Sequence, residues 1–120
     1  MDTDGATLAE SYLSELQATL TAPRARECLP CYVGRMLAEF GCAGTLRWSE
    51  HWRNICAPRA TALAARLGSR GGFCDCEVLL NVYPDWLVEE DEPLPACAGV
   101  SRRGSTQPCR PVSGPSGPRR

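Results

Sequence analysis

The chain contains no lysine, and all thirteen basic residues among its 120 are arginines. A genome-wide codon bias supplies arginine as readily as any need for planar phosphate or carboxylate recognition, so the skew names no ligand. There is a single histidine, His51. No His-Glu-x-x-His, no zinc-deaminase signature and no glycine-rich phosphate loop is present, so no catalytic set can be assembled. No apolar run approaches the ~20 residues that a membrane helix needs. Residues 1–20 carry four acidic side chains and no basic one, the opposite of a secretory n-region. These absences predict a soluble cytoplasmic protein with no membrane contact.

What is present begins with length and charge. The chain has room for one domain. Its net charge of −1 conceals blocks of opposite sign. Residues 1–23 and 85–95 are acidic, whereas 24–84 and 96–120 are basic. Residues 93–120, with six of the ten prolines and many Gly, Ser and Arg residues, read as a disordered tail, placing Cys97 and Cys109 outside the fold. Residues 1–92 are the expected domain, with a core over about 28–84 preceded by a helix over 7–21.

Eight cysteines are the dominant chemical feature. In a reducing compartment, closely spaced pairs point to metal or redox chemistry rather than to a disulfide framework. Cys28-x-x-Cys31 and Cys74-x-Cys76 supply four thiolates with little closure entropy inside each pair, which suits tetrahedral zinc. Cys42 and His51 compete for the fourth place. The metal candidates are therefore Cys74, Cys76, Cys28, Cys31 and Cys42, with iron or disulfides as alternatives to structural zinc. Cys56, beside two tryptophans, reads as a small buried hydrophobe, and His51 as a core-edge side chain.

Local patterns predict a mainly α protein, a bundle of four to five short helices with at most one short strand pair, closed by the cysteine site. Thr7 and Glu10 form a capping box. Leu8, Tyr12, Leu16 and Leu20, with Leu13 beside them, make one apolar stripe up to Pro23. Pro30 starts a second helix with Val33, Met36, Leu37 and Phe40 inward and Gly41 as its stop. Thr45 caps a third helix carrying Trp48, Trp52 and Ile55. Pro58 opens a fourth helix with Ala60, Leu63, Ala64 and Leu67, ended by Gly68. Gly71-Gly72 permits a tight reversal ahead of Cys74, and residues 77–83 read as helix in preference to strand.

The run Gly71-Gly72-Phe73-Cys74-Asp75-Cys76-Glu77-Val78-Leu79, then Asn81-Val82, resembles an uncharacterised bacterial family, domain of unknown function 2695. Gly41-Cys42-Ala43-Gly44-Thr45-Leu46-Arg47 resembles its second motif, commonly Cys-Asp-His-Thr. That resemblance implies Cys42 as a ligand beside Cys74 and Cys76. It also implies that Gly44, standing in the histidine's place, leaves the set one ligand short, for Cys28 or Cys31 to complete. It carries no established activity.

Three functions compete. The first is a zinc-stabilised module that binds a protein partner. The second is a thiol redox sensor in which Cys28 at a helix start is activated and Cys31 resolves it. The third is a weak nucleic-acid binder through Arg47, Arg53, Arg59, Arg66 and Arg70 with Trp48 and Trp52, disfavoured by the flanking acidic blocks. The first accounts for both cysteine pairs and is the expectation carried forward.

Overall fold

In a computed structural model the structure describes residues 2–88 and 92–110, with side chains from residue 11 onward. Five α-helices follow one another: α1 Asp2–Thr21, α2 Leu29–Phe40, α3 Arg47–Cys56, α4 Leu63–Ser69 and α5 Asp75–Glu77. The last continues into a π-helical turn, Val78–Val82, and a 3-10 turn, Pro84–Trp86. There is no strand among the described residues, and of the segment expected to be helical over 77–83, residues 77–82 are helical. No described helix is long and apolar enough to cross a membrane.

The core forms where α2, α3, α4 and the π-turn meet. Leu29, Tyr32, Val33, Met36, Trp48, Trp52, Leu63, Leu67, Val78, Val82 and Trp86 are all buried there. Three of the large polar tips in this core are satisfied, which keeps their burial from being a net loss, whereas the buried Trp86 Nε1 has no hydrogen-bond partner among the described residues. Trp52 Nε1 donates to the Glu27 carbonyl at 3.0 Å, Trp48 Nε1 to the Gly41 carbonyl at 3.1 Å, and Tyr32 Oη to the Thr21 carbonyl at 2.6 Å. Glu27 is buried against Arg35, whose guanidinium donates two bonds to the carboxylate at 2.8 and 3.0 Å. These bonds tie the end of α1 and the loop after it to α2. Cys56 packs at the edge of the core, as a small hydrophobe would, and burial pushes its thiol pKa up. His51, half-buried, lies 6.4 Å from the Tyr32 ring, in keeping with a core-edge side chain.

Helix boundaries differ from the pattern in three places, each for a physical reason. α1 begins at Asp2, ahead of the Thr7–Glu10 box, whose side chains lie outside the description. Its stripe is not core: Tyr12, Leu13 and Leu20 are 60–62% exposed, because no other described element covers that face. α4 begins at Leu63 rather than at Pro58. Residues 58–62 form turns, with the Leu63 amide bonded to the Ala60 carbonyl at 3.1 Å.

Thr45 does not cap α3. Leu46 occupies the cap position without any side-chain bond, and the cap comes instead from a distant residue. Asp75, fully buried, accepts from the Trp48 amide at 2.8 Å, the Ser49 amide at 3.0 Å and the Ser49 hydroxyl at 2.8 Å. A carboxylate bound to the free amides of a helix start satisfies orphan donors and meets the positive end of the helix dipole. The Asp75 amide returns a bond to the Thr45 carbonyl at 3.0 Å.

The glycine pair before this segment serves packing. Gly71 has φ +90°, and Asn81 donates to its carbonyl at 2.9 Å. A Cβ on Gly72 would lie 3.1 Å from the Leu67 carbonyl oxygen and from methyls of Val78 and Val82, so only glycine lets the π-turn approach α4 this closely. Glu77 reaches back to accept from the Phe73 amide at 3.1 Å, completing the reversal.

Candidate metal centre

α2 positions the first two thiols. Cys28 holds its N-cap position and Cys31 lies in its first turn, where Pro30 is accommodated because that position needs no amide donor. The other two thiols come from the far end of the chain. Residues 92–110, read from sequence as tail, turn back onto the body. The Val100 amide donates to the Arg26 carbonyl at 2.8 Å, and Arg26 donates through Nε and Nη2 to the Val100 carbonyl. Val100 is buried. Farther along, the Arg110 guanidinium stacks 4.1 Å from the Trp86 ring and donates to the Asp85 carbonyl at 2.9 Å. Cys97 lies shortly before the first of these anchors and Cys109 directly before the second. The expected tail over 111–120 lies outside the described residues.

The result is a four-cysteine cluster, Cys28, Cys31, Cys97 and Cys109, fit to hold a metal ion, with all four ligand atoms within 4.8 Å of one another. None is in a disulfide. Cys31 and Cys109 Sγ are 3.8 Å apart, and two thiolates on one tetrahedral zinc with bonds of about 2.3 Å stand about that far apart. Cys97 Sγ accepts the backbone amides of Cys28 and Gly99, each at 3.3 Å. Amides aimed at a sulfur stabilise its thiolate, as outer-shell donors do around metal-bound cysteines. Cys28 is fully buried. The Cys31 thiol lowers the pKa of Cys28 to about 5, against desolvation by burial. The Cys31 pKa is pushed up by the Cys28 sulfur and then by burial.

Cys42, Cys74 and Cys76 form a different group. α2 spans twelve residues, about 18 Å at 1.5 Å per residue. Cys28 caps one end and Cys42 lies just past the other, so the expectation that Cys28 or Cys31 completes the set of Cys42, Cys74 and Cys76 does not match the geometry. The Cys74–Cys76 segment is drawn to Cys42 by the bond from Asp75 to Thr45. Cys42 Sγ accepts the Gly44 amide at 3.4 Å, and the backbone of Cys76 and then that of Gly44 lower its pKa. Cys42 and Cys76 are exposed, and Cys74 is half-buried. A Cβ on Gly44 would meet nothing within 4 Å, so this position faces open space.

Trp48 and Trp52 are buried, and Arg47 stacks 4.0 Å over its neighbour Trp48. Neither indole is free to stack on a base.

Comparison with known proteins finds a match for part of the chain. Residues 29–81 match the model of the family described as "Protein of unknown function (DUF2695)". The family expected from the Cys-Asp-Cys-Glu run is the one that matches. Uncharacterised proteins of Mycobacterium bovis and of two Mycobacterium tuberculosis strains are 37% identical over 54 residues, 45% of this chain. The chain spans about half the length of these relatives, 54%. No solved structure matches. Of the four clustered thiols only Cys31 falls inside the matched segment, whereas Cys42, Cys74 and Cys76 all do. Sequence reasoning missed Cys97 and Cys109. The signal available was their number: two further cysteines restore a second pair for Cys28 and Cys31.

Proposed function

We propose that this is a small helical domain stabilised by structural zinc on Cys28, Cys31, Cys97 and Cys109, and that it acts by binding a protein partner. The observation that carries the reading is the convergence of four unbridged thiols from the two ends of the chain. Four thiolates in a closed set suit zinc in a structural role, since no position is left for a reacting water. A chain of this size with one modest core gains from such a clasp, which contributes on the order of 10 kcal/mol in small zinc domains. The exposed apolar stripe of α1 and exposed Phe73 and Leu80 support contact with another protein. Two grooves on the described surface are small, about 220 and 310 Å³.

Native mass spectrometry with elemental analysis tests the assignment. One zinc per chain is expected, retained by Cys42→Ser and lost by Cys31→Ser, by Cys109→Ser and by a chain ending at residue 92. A metal that survives Cys109→Ser but is lost with Cys42→Ser would transfer the site to the other end of α2. A coloured, iron-containing protein would replace zinc by iron.

A further inference from the structure

α1 meets the rest of the fold with its polar side. Ser14, Gln17 and Thr21 line the groove that α1 shares with Trp48 and His51 of α3, and the Thr21 carbonyl accepts from Tyr32 Oη. The apolar residues point elsewhere: Tyr12, Leu13, Leu16 and Leu20 are 61, 62, 41 and 60% exposed. At roughly 100° per residue, the centres of the two sets stand roughly 120° apart around the helix axis. An amphipathic helix that serves only its own core turns its apolar stripe inward, as α2 does with Leu29, Val33 and Met36. α1 does the reverse. A contiguous apolar stripe left in water, on a helix anchored at its end, marks a contact surface.

Charge selects the occupant. α1 carries Asp2, Asp4, Glu10 and Glu15 and no basic residue. Glu15 is exposed and stands three residues from Tyr12, at the border of the stripe. A second copy of the chain brought against this face would set acidic helix against acidic helix, a like-charge juxtaposition that costs affinity. The first arginine, Arg24, comes only after the helix has ended. An anionic lipid surface, which attracts basic segments, is opposed for the same reason. The complement of an apolar stripe set among carboxylates is a helix whose own apolar face is bordered by Arg or Lys.

We propose that the exposed face of α1 docks a basic amphipathic helix of another protein, whose apolar side chains pack on Tyr12, Leu13, Leu16 and Leu20 and whose cations face the acidic residues of α1. The occupant's chemistry, which rests on the protein-binding reading above, sharpens that reading to one surface and one kind of partner. A single helix face buries less than a standard interface, so the contact belongs to the weak and transient class, and its charge component weakens with salt. The four-cysteine clasp takes no residue from α1, so docking and metal content are separable.

The test uses the full chain purified with its metal and two synthetic helical peptides that share one leucine face, one bordered by arginine and the other by glutamate. Fluorescence anisotropy should show the arginine peptide binding at least about tenfold tighter at low salt, with the gap narrowing as salt rises. Leu16→Ser should weaken it by at least about tenfold, and Glu10→Arg with Glu15→Arg should reverse the preference between the peptides, all with metal retained. Leu80→Ser should change nothing. The peptide comparison on the native chain needs no variant to fold. Equal binding of the two peptides would overturn the basic partner and leave the protein-binding reading standing. Binding of neither would overturn the proposal and remove α1 from that reading as well. Binding untouched by Leu16→Ser, a dimer in sedimentation that Leu16→Ser dissolves, or attachment to phosphatidylcholine vesicles through the same leucines would each give the stripe another role and overturn the proposal.

Discussion

The two ends of α2 carry cysteines in opposite circumstances. At its start, Cys28 and Cys31 meet Cys97 and Cys109 in a closed set, with Cys28 fully buried. Past its end, Cys42 meets Cys74 and Cys76 at the surface, with open space at Gly44. The closed end joins residues far apart in sequence, so whatever holds it constrains the whole chain. The open end joins segments already fixed by the Asp75 cap and the Gly71-Gly72 reversal, and its thiols are left over from folding. Closure predicts stability, and exposure predicts reactivity.

The largest effect expected is at the closed end. With the proposed zinc bound, chelation by excess EDTA or Cys31→Ser should remove the clasp, and a loss on the order of 10 kcal/mol is comparable to the whole stability of a small domain. Circular dichroism should show loss of helix that returns when zinc is restored to the native chain. Acid should act in the same direction, because each thiolate must be deprotonated to bind. Helix content unchanged after complete metal removal would erase the distinction between the two ends.

Next in size is the cap between them. Asp75→Ala leaves the Trp48 and Ser49 amides and the Ser49 hydroxyl without their acceptor in a buried setting, a loss of about 2–4 kcal/mol. Asp75→Asn should recover part of it, since an amide oxygen still accepts. Urea denaturation of the metal-loaded protein measures both. Gly72→Ala is smaller. The new methyl would have to displace the Leu67 carbonyl or the Val78 and Val82 methyls, which costs about 1–3 kcal/mol. The same experiment reads it, and an unchanged midpoint would show that the π-turn can retreat from α4.

The positions of the helices were largely legible in sequence, because Pro30, Gly41 and the Trp48/Trp52 spacing act locally. What each helix buries was less so. The α1 stripe has the same periodicity as a core face, and nothing in periodicity says whether a partner within the chain will cover it. The cap on α3 was misassigned to Thr45 because the group that supplies it is twenty-seven residues away from Trp48. Asp75 was visible only as part of a cysteine motif. The candidate site was half legible: Cys28-x-x-Cys31 announces itself, whereas Cys97 and Cys109 sit in a Pro- and Gly-rich stretch whose composition signals disorder. Two hydrogen-bonded anchors, Arg26 with Val100 and Arg110 with Asp85, hold that stretch in place, and neither leaves a pattern in the sequence.

The smallest effect concerns reactivity alone. Among the exposed thiols, Cys42 has its pKa lowered by the Cys76 and Gly44 amides. Cys76 is pushed up to about 11, first by burial and then by its contact with Cys42. A group with a lowered pKa is ionised at a lower pH, so alkylation by iodoacetamide should reach Cys42 before Cys76. The Cys76 rate should still be rising with pH after that of Cys42 has levelled off. Quantitative mass spectrometry over a pH series on the metal-loaded chain reads both sites in one sample, and the clasp cysteines serve as the unreactive reference. Equal rates at Cys42 and Cys76 across the series would mean that the amides do not discriminate between them, and the open end would then hold ordinary surface thiols.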